Sequence, residues 1–316
     1  MKKICIVVPY FGKWPAWMHL YLASCGRNST IDWIFITDCR PPHDAPANVR
    51  FQKMEWRGCA ELIRDRCRVR NGPAKPYKLC DFRFAFGDVF REYFEGYHYW
   101  GFGDIDVIYG NVRAFLTSDV LDHDLITFSE AHVSGHLTFL RNTRELAEKY
   151  QSSEQWRRKI ERREYQFLDE NNGHYGIENV YAKESYSTPL SPYQPWTNGK
   201  FVFPGVWYYA DGRLFNSLDG SREFMYLHFM RYKYIWWAHG LKSVVHVPPD
   251  GATAGFKLLV DGFHSYVPGD ERATVGDSIS VRPFRTGPLR KLLRLVFGPQ
   301  LDNYMMGRRA MKGQRA

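Results

Sequence analysis

After residue 80 the chain contains no cysteine, and its six cysteines, Cys5, Cys25, Cys39, Cys59, Cys67 and Cys80, include no Cys-x-x-Cys pair. That spacing argues against a cysteine zinc ribbon or a dithiol redox motif and points to a reduced protein with free thiols. Cys5, in an apolar run, and Cys80, in an expected helix, read as buried thiols. No stretch is long and apolar enough to span a bilayer as a helix. The opening MKKICIVVPYFG has the basic start of a signal peptide, but its apolar core is too short, is cut by Pro9, and leads to no small-residue cleavage site. A cytoplasmic location is therefore expected. Internal repeats, low-complexity tracts and recognised nucleic-acid motifs are also missing.

What is present is an ordinary globular composition with two unusual entries. The 316 residues are 44% hydrophobic, enough for a sizeable core, yet 16% are aromatic and the formal net charge is +9. Such a charge implies an anionic partner: nucleic acid, a membrane surface or a phosphorylated substrate.

The N-terminal half alternates strand-like and helix-like segments. Strands are expected at Lys3 to Val8, Asp32 to Thr37 and Val49 to Lys53, and helices at Pro15 to Cys25, Ala60 to Arg70 and Pro76 to Phe84. Further strands are expected at Asp124 to Phe128 and His136 to Arg141, with Asn142 capping a helix that begins at Thr143. The charged segment Glu154 to Phe167 reads as a solvated helix with i, i+4 ion pairs. This order predicts an α/β fold, a twisted mixed sheet flanked by helices. Residues 1–245 are expected to form the main domain and 246–286 an irregular extension. In 287–316, Leu289, Leu292, Leu293 and Val296 form an apolar stripe beside Arg290, Lys291 and Arg294. That basic amphipathic pattern suits an interfacial membrane anchor, and suits equally a helix packed on the domain.

The most informative stretch is Tyr97 to Gly110, YHYWGFGDIDVIYG, an aromatic, β-prone run that ends in two carboxylates one residue apart. Read as a buried strand, it places Asp104 and Asp106 at the strand's carboxyl end, where open α/β sheets bind ligands. Two hard oxygen donors there suit a divalent cation shared with substrate phosphates, as Mg²⁺ or Mn²⁺ usually is. Gly101 and Gly103 leave room for a ligand beside the backbone. A second Asp-x-Asp, Asp122-His123-Asp124, serves as a control: it precedes an apolar run and reads as a loop entering a strand.

Several segments in order, VPYFG, KPYKLCDFRFAFG, WGFGDIDVIYG, SGHLTFLRN and LHFMRYK, resemble those of metal-dependent GT-A-type glycosyltransferases. The likeness is to a bacterial set of unassigned substrate, associated with surface polysaccharide synthesis, and it covers roughly Lys2 to Gly240. It implies a GT-A-like nucleotide-diphospho-sugar transferase fold in which Asp104 and Asp106 hold Mn²⁺ or Mg²⁺ against the diphosphate of a nucleotide sugar. It makes His228 a third metal ligand and brings Lys233 to a phosphate oxygen, although His228 alone also suits a satisfied core histidine.

The same resemblance places Tyr10 and Asp38 beside the nucleoside, while Asp38 also suits a local turn. Lys78 and Asp81, which share a helix face, would meet the diphosphate and orient it, or form only a surface ion pair. Ser134, Gly135 and His136 would face the transferred sugar, with His136 counted as catalytic. Glu178 would face the acceptor as general base or as a positioning group. It is followed by Asn179 rather than a second acidic residue, a departure from the pattern.

The resulting expectation is transfer of a sugar, from a UDP-sugar above all, to a glycan or lipid-linked glycan acceptor, leaning to retention of configuration. Two other functions fit the same residues. Tyr232, Tyr234, Trp236 and Trp237 could be stacking platforms of a nucleic-acid-binding protein, and the carboxylates could serve metal-dependent phosphate hydrolysis. Attachment to the inner membrane surface would follow if the tail anchors there.

Overall fold

The computed structural model describes residues 1–128, 133–168, 181, 185–187, 206–217, 222–230, 232–233, 236, 255–259 and 262–266. In chain order the first part comprises β1 (Ile4–Pro9), α1 (Met18–Gly26), β2 (Ile31–Thr37), β3 (Val49–Lys53), α2 (Trp56–Cys67), α3 (Phe86–Val89), β4 (Tyr99–Gly103), β5 (Val107–Tyr109) and α4 (Val112–Phe115). Then come β6 (Leu125–Thr127), β7 (Leu137–Arg141), α5 (Arg144–Glu148), α6 (Glu154–Ile160) and β8 (Ser185–Ser187). The last are β9 (Trp207–Ala210), β10 (Arg213–Asn216), β11 (Glu223–Phe224), β12 (Tyr226–His228), β13 (Phe256–Leu259) and β14 (Gly262–Ser265).

Seven strands form one mixed sheet in the order β3-β2-β1-β4-β7-β6-β8. β7 runs antiparallel to both of its neighbours, and the other pairings are parallel. Alternation along β1 explains why the sheet is buried on both faces: Ile4, Ile6 and Val8 enter one apolar layer and Cys5 and Val7 the other. From β1 the chain steps outward to β2 and β3, then returns to place β4 on the opposite side of β1. The order therefore reverses between β1 and β4, the crevice where such sheets bind ligands.

Local structure departs from expectation where capping or packing decides it. The first helix begins at Met18, after a turn in which the Met18 amide donates to Pro15 O at 3.0 Å. The second starts at Trp56, earlier than expected, and closes at Arg68 in the left-handed region, φ 54°. Residues Pro76–Ala85 wind as a 3₁₀ helix, not an α-helix. They bury Lys78, Leu79 and every residue from Asp81 to Ala85, so no polar stripe imposes a 3.6-residue period. Thr143, rather than Asn142, caps α5 by accepting from the Leu146 amide. Asn142 Nδ2 donates instead to the carbonyls of Phe94 and Tyr97. Ser153 caps α6, which stops at Ile160, well short of Phe167.

A second, antiparallel sheet of order β11-β10-β9-β13-β14 was not expected. Its β13–β14 hairpin lies within 246–286 and pairs with β9. Trp207, Tyr209, Phe256 and Phe263 pack from it against Leu20 of α1 and Ile108 of β5. Residues 287–316 lie outside the described residues.

Gly101 and Gly103 admit protein, not ligand. A side chain at Gly101 would meet Thr138 O at 2.6 Å, and one at Gly103 the Tyr109 hydroxyl at 2.9 Å. Gly87 is tighter, because its Cβ would lie 2.4 Å from the buried indole of Trp100. Gly87→Ala should therefore destabilise the fold by about 1–3 kcal/mol through overpacking. A denaturant titration checks this, and an unchanged midpoint would contradict it.

Candidate metal centre

Asp104 and Asp106 leave the carboxyl edge of β4 at the β1/β4 reversal, as the sequence indicated. Pairing of β12 with β5 brings the third group: Tyr226 faces Tyr109, Leu227 faces Ile108 and His228 faces Val107. The Phe229 amide then donates to Asp106 O at 3.0 Å, so the register is held next to the carboxylate. His228 Nε2 lies 3.6 Å from Asp104 Oδ2 and 3.5 Å from Asp106 Oδ1. One ligand atom from each of the three falls within 4.8 Å of the others. Two carboxylate oxygens and one imidazole nitrogen at this spacing fit a divalent cation.

Both carboxylates already face a cation. Arg83 pairs with Asp104 and Lys233 with Asp106. The Lys233 ammonium also lies over the Trp17 ring, 5.5 Å from its centroid. Trp17 in turn donates its indole N–H to Ile105 O at 3.0 Å, between the two aspartates. Burial by itself would raise the acid range of Asp106, but the charges of Lys233 and His228 outweigh it and hold the carboxyl well below the usual range. Asp106 is thus an ionised, buried oxygen donor at neutral pH.

His136 lies beside His228 and is buried. Its ring is fully buried, its Nε2 lies 2.6 Å from the Tyr226 hydroxyl, and it stacks on His228 with centroids 4.8 Å apart and planes 10° from parallel. Its carbonyl accepts from the Asp104 amide at 3.1 Å. The expected catalytic role gives way to a positioning one, in which backbone and ring fix two of the candidate ligands. Ser134 and Gly135 do enter β7, yet both are buried, with the Ser134 amide donating to Thr127 Oγ1 at 2.7 Å.

The other expected residues sort by place. Tyr10 and Asp38 follow the carboxyl ends of β1 and β2, on the same edge as Asp104. Tyr10 stacks on Trp14 at 5.1 Å, and Asp38 Oδ1 accepts from the Gly12 amide at 2.9 Å, so Asp38 does close the local turn. Lys78 and Asp81 form a fully buried ion pair at 2.8 Å, not a surface one. The Lys78 ammonium also donates to Glu164 O, and Asp81 accepts the amides of Gln166 and Leu168, so both groups bind chain rather than present themselves to a diphosphate. Glu178 lies outside the described residues. Asp122 and Asp124 of the control motif pair with Lys2 and Arg141 and are structural. Tyr232 and Trp236 are buried and form no nucleic-acid platform, and Tyr234 and Trp237 are outside the described residues. No disulfide joins the described cysteines; Cys5, Cys25, Cys59 and Cys67 are buried and Cys80 is half-buried.

Sequence reasoning missed Arg83, Tyr226 and Trp17. Arg83 left a signal: it is the one charge in Phe82-Arg83-Phe84-Ala85-Phe86, and a charge in such a run needs a buried partner. Tyr226 stands two residues before His228 on one strand, hence on the same face.

No helix among the described residues is long and apolar enough to cross a membrane. Residues 6–249 match a family of unknown function, DUF6625. No curated protein matches the chain. Among solved structures, the chain is similar to the galactosyltransferase LgtC in complex with donor and acceptor sugar analogues, at 11% identity and a TM-score of 0.33, over 53% of this chain and 68% of that one.

Proposed function

The chain belongs to the DUF6625 family, whose function is unknown, and from that premise we propose on the site itself that it is a metal-dependent glycosyltransferase of GT-A type. One observation carries the reading: Asp104, Asp106 and His228 converge at the sheet's reversal point, within 4.8 Å of one another. The ordered motifs that resemble GT-A enzymes support it.

Asp104, Asp106 and His228 would hold Mn²⁺ or Mg²⁺, which when bound supplies Lewis-acid neutralisation of a leaving diphosphate. Lys233, one-third exposed beside Asp106, would meet a phosphate oxygen of the donor, with UDP-sugars the donor class proposed. Tyr10 and Asp38, at the next two strand ends, would border the nucleoside. Ser134 and Gly135 would shape the sugar pocket through backbone. Glu178 would face a glycan or lipid-linked glycan acceptor, with retention of configuration favoured by the histidine ligand. The catalytic unit would include the β13–β14 hairpin, and residues 287–316 would contact an anionic membrane surface.

Calorimetric titration of UDP with and without Mn²⁺ tests the assignment. His228→Ala should weaken Mn²⁺-dependent UDP binding by about 10–100-fold, the range for perturbed metal sites, while acceptor binding is unchanged. Equal affinity in the variant would remove His228 from the site. Turnover of a UDP-sugar that needs no acceptor would favour phosphohydrolase chemistry instead.

A further inference from the structure

Residues 164–168 are held in an unusual way. Asp81 accepts the amide of Gln166 at 2.8 Å through one oxygen and that of Leu168 at 2.9 Å through the other. Its partner Lys78 anchors Glu164 O at 2.9 Å, and the Leu168 side chain is buried. Between the two anchored amides, Phe167 sits at φ +56°, a region that bulky residues avoid. This clamp does not bury the phenylalanine. Phe167 is 54% exposed, and with Tyr77, 61% exposed, it is one of three large exposed apolar side chains among the described residues. Tyr165 bridges them, with ring centroids 4.2 Å from Phe167 and 5.0 Å from Tyr77.

The sequence on either side of the cluster is basic. Lys75, Arg157, Arg158, Arg162 and Arg163 are exposed on the flanking segments. Two exposed carboxylates, Glu154 and Glu164, lie among them, while Glu161 turns to accept the amides of Arg70 and Asn71 at 2.7 and 3.1 Å. Burial pushes Lys159 below its ordinary range, and the nearby charges of Arg162 and Arg158 add to the shift.

We propose that the Tyr77–Tyr165–Phe167 cluster with its arginine rim is a docking face for an anionic lipid bilayer. Exposed aromatics at the interfacial level, flanked by cations that meet head groups, are the chemistry of shallow membrane attachment. Strain maintained by a buried ion pair around an outward-facing phenylalanine indicates a surface kept for a partner rather than for the core.

The full chain should co-sediment with vesicles of phosphatidylglycerol and phosphatidylcholine, less so at high salt, and not with pure phosphatidylcholine. Phe167→Gly should lower that partition at least tenfold while leaving the melting temperature equal or higher, since glycine accepts positive φ. Arg162→Glu with Arg163→Glu should lower it likewise, and provides the test should the glycine variant fold poorly. Mn²⁺-dependent UDP binding should be unchanged in both. Variants that partition as the wild type does would overturn the proposal, as would equal binding to neutral vesicles. Loss of acceptor-glycan binding with unchanged vesicle partition would assign the face to a glycan and overturn it as well.

Discussion

Asp106→Asn is expected to abolish metal-dependent nucleotide diphosphate binding, a loss of about a hundredfold or more, because a direct ligand matters at least as much as the outer-shell groups whose loss costs 10–100-fold. The carboxamide keeps the shape and removes the charge. The fold should persist, since Lys233 is one-third exposed and can turn to water once its partner is neutral. Titrating UDP into the variant with and without Mn²⁺ measures the effect, and undiminished metal-dependent affinity would sink the assignment. A pH series on metal-free protein adds a signed check. The Asp106 carboxyl is held below its ordinary range when folded, so the stability it contributes is fully present above about pH 4, the unfolded carboxylate value, and declines as pH falls below it. The wild type should exceed the Asn variant in stability at neutral pH, with the gap narrowing in acid.

The second large effect concerns stability alone. Lys78→Met should destabilise the protein by about 3–5 kcal/mol, because it leaves the fully buried Asp81 carboxylate without its counter-ion. The two amide bonds that Asp81 accepts soften the loss without supplying a charge. Equilibrium unfolding in urea reads the difference directly. A change under about 1 kcal/mol, the ceiling for an exposed pair, would mean that the pair is solvated after all.

The contrast between these two sites shows what was legible beforehand. Asp104 and Asp106 were found because an aromatic strand ending in carboxylates is a local pattern, readable within a dozen residues. Parallel strands such as β1 and β2 were readable for the same reason, as short apolar runs bounded by turn residues. His228 came from motif order, since the pairing of β12 with β5 joins residues over a hundred positions apart and leaves no periodic trace. Lys78 and Asp81 were seen as a pair, but their burial depends on Glu164, Gln166 and Leu168, which only the fold brings near. The sheet of β9, β10, β11, β13 and β14 escaped because its strands have two to four residues, too few to display alternation. The contact of His136 with Tyr226, ninety residues away, leaves no local trace for a related reason.

The ion pairs of Asp104 with Arg83 and of Asp106 with Lys233 imply a condition of electroneutrality. Counted without the imidazole, two carboxylates and two cations sum to zero in a partly buried space. A divalent ion entering alone would leave two positive charges uncompensated there, and a diphosphate entering alone would meet two aspartates with only their existing partners to shield it. Arriving together, ion and diphosphate would restore the balance, and Arg83 and Lys233 would then be able to turn toward phosphate oxygens. By thermodynamic reciprocity, whatever factor the ion adds to nucleotide affinity the nucleotide must add to ion affinity. On the proposed function, the centre would hold a lone cation weakly and would fill as a pair.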